Sequence, residues 1–153
     1  MTVELVGTAD RTPRSREFSA LYAEVQHFYA QQMRILDGPD AGGWPDTFTE
    51  DALFERPPVS APVRVRAGRT GCVRAGAARE REAGSRLDHW IGMLDVRPQA
   101  DGSLRTRCSA LAYATPGGGG SRVLYVYVME DVLVPVHGAW RTAHRRVTRD
   151  DLA

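Results

Sequence analysis

From Arg86 onward the chain reads as four long apolar runs, Leu87–Val96, Leu104–Ala114, Val123–Val134 and Trp140–Thr148, separated by short turn signals at Ala100-Asp101-Gly102, Pro116 to Gly120, and His137-Gly138. Runs joined by connections this short pair as an antiparallel meander. The third run, VLYVYVMEDVLV, is apolar at both alternating parities over most of its length. Such a strand needs cover on both faces, which limits the fold to a sheet with something packed on each side.

The inner cover lies upstream. Phe18, Leu21, Tyr22, Val25, Phe28, Tyr29, Met33 and Leu36 recur at spacings of three and four, which predicts an amphipathic helix with a broad apolar face. Ser15 is its expected N-cap, with Glu17 in the first turn, and Asp37-Gly38-Pro39 should end it, because proline cannot continue the hydrogen-bond ladder. Residues 1–14 are polar and read as an N-terminal arm, leaving 15–153 as one domain. Asp40–Phe48 could form a short second helix that carries Trp44 and Phe48 inward. A strand follows around Leu53–Glu55, then a strand-like piece at Val63–Arg66 and a helical pattern with few apolar anchors at Thr70–Glu82. Helices first and a meander afterwards imply an α+β domain with the sheet wrapped around the first helix. The outer cover is expected from a second copy, a homodimer through the outer sheet face.

Composition narrows the partner. With 42% hydrophobic and 25% charged residues and a net charge of +1, nothing points to nucleic acid or a membrane surface. No apolar run reaches the roughly 20 residues of a bilayer span, and the N-terminus lacks the core of a secretory signal, so a soluble cytoplasmic protein is expected. All 20 basic side chains are arginine, which excludes Schiff-base lysine chemistry. Cys72 and Cys108 form no C-x-x-C pattern and read as buried thiols. His27, His137 and His144 are scattered without metal-ligand spacing, so no metal and no cofactor are expected. Gly117 to Gly120 lack the strand-to-helix context of a phosphate cradle and read as a hairpin tip or lid.

The order of the pieces resembles the nuclear transport factor 2-like superfamily over about residues 16–149: helix, LDGPDAGGWPDTFTEDALFERP, basic segment, HWIG and three more strands. Within it the chain is most similar to SnoaL-like proteins of bacterial aromatic polyketide pathways. That similarity rests on Leu36-Asp37 at the helix end, the pair Gly43-Trp44, and Phe48-Thr49-Glu50-Asp51-Ala52 leading into the first strand. The resemblance implies a cone-shaped barrel, a strongly curved antiparallel sheet around the first helix plus two shorter helices. It also implies a small hydrophobic aromatic or polyketide ligand and the cofactor-independent chemistry of a cyclase, dehydratase or isomerase. The same elements resemble the small subunit of ring-hydroxylating dioxygenases, so a non-catalytic binding or subunit protein is the competing expectation.

A narrower similarity lies in Leu87-Asp88-His89-Trp90-Ile91-Gly92, which is similar to the histidine-aromatic-Ile-Gly strand of scytalone dehydratase. It implies that His89 is catalytic, with Asp37 where that family carries an aspartate after its first helix. The second histidine of that family, on the next strand, is matched here by Cys108 or Ser109.

The residues themselves bear on these roles. Histidine titrates at about 6.5, near the operating range of an acid or base, and alternation would point Leu87, His89, Ile91 and Met93 inward together. Asp37 could orient His89 or merely satisfy a turn. Asp51 matches the buried acid/base aspartate of related polyketide cyclases, or is a solvated strand start. Tyr29 could donate to a developing enolate, or be a core tyrosine satisfied elsewhere. Trp44, Phe48, Phe54, Trp90, Tyr113, Tyr125, Tyr127 and Met129 are the expected substrate-binding set, suited to a flat aromatic ligand. The tyrosines could equally form a dimer interface, depending on which strand face is inside. Arg141, Arg145, Arg146 and Arg149 read as a solvated face or subunit contacts, with an acyl carrier protein as an alternative partner.

Overall fold

The computed structural model describes residues 13–57, 60–66, 79 and 81–152. The arm over 1–12, Cys72 and most of the helix expected at Thr70–Glu82 lie outside the described residues.

Helix α1 (Pro13–Asp37) opens on proline, whose fixed φ suits a first turn, so Ser15 sits inside the helix and does not cap it. Val25, Tyr29, Gln32, Met33 and Leu36 form its buried stripe. The exit at Gly38 depends on the missing side chain: a Cβ there would lie 2.9 Å from the Arg34 carbonyl oxygen. The expected second helix is a 3₁₀ turn, Ala41–Thr47, that buries Trp44.

Six strands follow among the described residues: β1 (Phe48–Arg56), β2 (Ser60–Arg64), β3 (Ser85–Pro98), β4 (Leu104–Pro116), β5 (Arg122–Val136) and β6 (Ala139–Arg149). They form one sheet in the order β2-β1-β6-β5-β4-β3. The meander is antiparallel as expected, and β5 turns into β6 through His137 and Gly138, both at positive φ, the requirement of a tight hairpin whose twist matches its strands. One pair departs from the expected antiparallel sheet: β1 lies parallel to β6. The chain reaches β1 by way of α1 and the 3₁₀ turn, so β1 joins the last strand without a hairpin. A short 3₁₀ turn at Asp150–Leu152 follows β6.

Inward alternation holds on β3 as far as Ile91 and then breaks. The register with β4 shifts between Gly92 and Asp95, and Met93 takes φ +54. This bulge turns Met93 out to 86% exposure, against the inward position alternation gave it, while Val96 returns to the core. Among the described residues no helix is long and apolar enough to cross a membrane.

The helix is fixed to the sheet by a polar network. Arg145 of β6 and Asp131 of β5 are register partners on the inner face and form a bidentate pair, Nε to Oδ1 at 2.9 Å and Nη2 to Oδ2 at 2.7 Å. Tyr29 of α1 donates to Asp131 Oδ2 at 2.8 Å, so the Thr106 hydroxyl is the donor in its 2.5 Å contact with Tyr29. Gln32 accepts from Arg145 and donates to Thr47 and Thr142. Burial works against the Arg145 charge, but Asp131 outweighs it and holds the guanidinium above the ordinary arginine range. Removing one member of such a pair strands the other charge. Asp131→Asn should therefore lower stability in urea unfolding by about 3–5 kcal/mol; a loss below about 1 kcal/mol would contradict this role.

Candidate active site

Asp37, the last residue of α1, meets β3 at His89. One carboxylate oxygen accepts the His89 backbone N–H at 2.8 Å, and the other lies 2.6 Å from His89 Nδ1. A carboxylate can only accept, so in the neutral imidazole Nδ1 carries the proton and Nε2 keeps its lone pair. Nε2 has no hydrogen-bond partner among the described residues. The pair is largely withdrawn from solvent, with side-chain exposures of 13% and 14%. A carboxylate at a helix C-terminus faces the negative end of the dipole, at a cost of about 0.3–1 kcal/mol, so helix stability does not explain Asp37. Its two bonds to His89 do.

The dyad opens on a cavity of about 560 Å³, within the range that holds small-molecule ligands. Its roof is Met33 and Leu36 of α1 with Trp44, and its walls include Phe54, Leu87, Leu124, Met129 and Val147. Beneath it, β4 turns the short side chains Ala110, Ala112 and Ala114 inward. Ala112 pairs with His89 on one side and Tyr125 on the other, and Ala110 pairs with Tyr127. Among the described residues, the charged side chains on the lining are Arg56, Arg79, Arg145 and Arg149, with no carboxylate. Arg149 is bound to Asp151 and stacks on Tyr125 with its guanidinium 4.6 Å from the ring centre.

Several expected residues fall elsewhere. The Tyr29 hydroxyl is engaged by Asp131 and Thr106, so the core-tyrosine alternative describes its position, and burial pushes its pKa far up. Asp51 is exposed on β1, accepts from the Thr49 hydroxyl at 2.9 Å and does not reach the cavity. Trp90 and Tyr113 sit on the outer sheet face, because β3 and β4 alternate and the inner positions belong to His89 and Ala112. Phe48 is buried behind the lining, edge-on to Trp44 at 4.8 Å and under the Arg145 guanidinium. Trp44, Phe54, Tyr125, Tyr127 and Met129 do line the cavity. At the positions matching a second histidine, Ser109 points outward and Cys108 lies in the core, its thiol pushed up to about 12 by burial.

Sequence reasoning missed Arg145, which is 2% exposed and not on a solvated face. A signal was present: Asp131 shares its parity with Tyr127, Met129 and Leu133 on an apolar strand, and a carboxylate buried there needs a cation. A second histidine-carboxylate pair, His144 Nε2 with Glu55 at 2.7 Å, joins β6 to β1 away from the cavity.

The chain is similar to Aln2 from a Streptomyces species, at 36% identity over 87% of this chain and 93% of that one, with a TM-score of 0.78. ActVI-ORFA from Streptomyces coelicolor is 31% identical over 86% of this chain and 98% of its own, with a TM-score of 0.76. A protein from Catenulispora acidiphila, solved in complex with S-DNPA, is 31% identical over 87% of this chain and 96% of its own, with a TM-score of 0.70. Beta subunits of aromatic-ring dioxygenases, at 17–18% identity, share the fold alone. No curated protein matches the chain. With the SnoaL-like domain matched over residues 17–146, the chain belongs to the SnoaL-like family.

Proposed function

We propose that the protein is a cofactor-independent acid/base enzyme of aromatic polyketide metabolism, acting as a cyclase, dehydratase or isomerase. The observation that carries this reading is the His89–Asp37 dyad at the wall of a largely apolar cavity. Asp37 fixes the tautomer, and His89 Nε2 takes the proton alpha to a ligand carbonyl. The electron pair of the broken C–H bond forms a carbon–carbon double bond and the carbonyl π pair moves to the oxygen, giving an enolate in a cavity lined by arginines and, among the described residues, by no carboxylate. His89, now protonated, returns its proton to carbon, to the oxygen of an aldol closure or to a departing hydroxide. The complex of the Catenulispora relative with S-DNPA supports a small-molecule ligand in this family.

A positioned base contributes about 10²–10⁴-fold. The protein should accelerate exchange of the alpha protons of 1-tetralone in D₂O, followed by NMR, and His89→Gln should lower that rate by about 10²–10⁴-fold while leaving the fold intact. Exchange that is unchanged in His89→Gln would remove His89 from this role.

The homodimer belongs to the same reading. The outer sheet face carries Trp90 at 69% exposure, Val123 at 57% and Val126 at 45%, more apolar surface than one strand region leaves to water without a partner. Light scattering at micromolar concentration should give the mass of a dimer, and Val126→Arg should give a monomer. A monomeric wild type would contradict the assignment.

A further inference from the structure

The acid/base reading lacks a group to hold the ligand's carbonyl oxygen, and the tyrosine expected to do so, Tyr29, has its hydroxyl taken by Asp131 and Thr106. We propose that the Tyr127 hydroxyl holds that oxygen, donating to the carbonyl in the bound ligand and to the enolate oxygen as it forms. This deepens the acid/base reading and rests on it.

Tyr127 lines the cavity and is 9% exposed, yet its hydroxyl has no hydrogen-bond partner among the described residues. A phenol so withdrawn from water needs a partner, and the cavity is where one can come from. It is not among the sealed side-chain atoms without a partner; only the Trp44 indole nitrogen is, among the described residues. Arg145, Arg149 and Tyr125, also on the lining, are placed less well. Arg145 is bound to Asp131 and Gln32. Arg149 is bound to Asp151, and Tyr125 beneath it is 41% exposed and open to water.

Register places Tyr127 diagonally across the sheet from His89. His89 on β3 pairs with Ala112 on β4, and Ala110 on β4 pairs with Tyr127 on β5. Two strand spacings across the sheet and two residues along it, about 12 Å in all, therefore separate the backbones of the histidine and the tyrosine, with Tyr125 directly across Ala112 from His89. Both side chains line the same cavity, which can take a flat ring with its carbonyl toward Tyr127 and its alpha carbon toward His89. Burial, opposed by Arg145, raises the Tyr127 pKa well above that of an ordinary tyrosine. The phenol stays protonated and acts as a donor throughout the working range.

The test compares 1-tetralone with tetralin, which has the same rings and no carbonyl, by calorimetry on wild type and Tyr127→Phe. A ketone oxygen only accepts, so a preference for 1-tetralone reports a protein donor and not the unprotonated Nε2 of His89. Wild type should prefer 1-tetralone by about tenfold or more, the value of one well-made hydrogen bond to an otherwise unpaired group. Tyr127→Phe should lose that preference while keeping its tetralin affinity and its Tm. It should also slow alpha-proton exchange by about 10²–10³-fold, the usual effect of deleting one oxyanion donor. Absence of the preference in wild type, or its persistence in Tyr127→Phe, overturns the proposal. If wild type shows the Tyr127-dependent preference but no exchange, the base reading of His89 fails and the oxygen-holding role of Tyr127 stands.

Discussion

The buried pair of Arg145 and Asp131 is the contact on which the rest of the arrangement depends. Both are nearly inaccessible to water, and each charge is tolerable only because the other is there. Through Tyr29 and Gln32 the pair also holds α1 at one height and rotation over the sheet. That placement decides where the helix ends in space. Its last residue, Asp37, meets His89 one to two turns beyond that network. A charged core is a poor source of stability compared with well-packed hydrocarbon, but it gives directional contacts that an apolar interface would lack.

Along β4 the inner positions change from large to small side chains. At one end of the inner face Leu104, Thr106 and Cys108 meet Leu133, Asp131 and Met129, and the space under α1 is filled. At the other end Ala110, Ala112 and Ala114 take those positions, and it is His89 of the neighbouring strand that reaches the helix end. The ligand space is bordered by aromatic, aliphatic and arginine side chains from α1 and the strands on either side of β4. Burial there keeps the tyrosine neutral, and the arginine charge of the lining suits an intermediate whose charge is negative.

Much of this is legible in the sequence. The spacing of Val25, Tyr29, Met33 and Leu36 marks the buried helix stripe, and the strand parities put His89 inward. The contact of Asp37 with His89 is suggested by resemblance alone, since 52 residues separate them and no local pattern relates them. Where sequence and structure differ, a non-local fact is missing from the sequence. Alternation places Met93 inward because it cannot foresee a bulge that needs positive φ at a methionine. Trp90 and Tyr113 group with Tyr125 and Tyr127 by residue type because composition does not reveal register. The choice of Tyr29 over Tyr127 as the donor fails for a related reason. Only the folded chain shows that Asp131 claims the first hydroxyl and leaves the second without a partner among the described residues.

The central claim is that Asp37 holds His89 as a base with its Nε2 lone pair available. Long-range ¹⁵N–¹H correlation NMR at a pH where the ring is neutral reads the tautomer directly. Wild-type His89 should carry its proton on Nδ1, and Asp37→Ala should lose that single tautomer. A wild-type His89 protonated on Nε2, or averaging between tautomers, would contradict it.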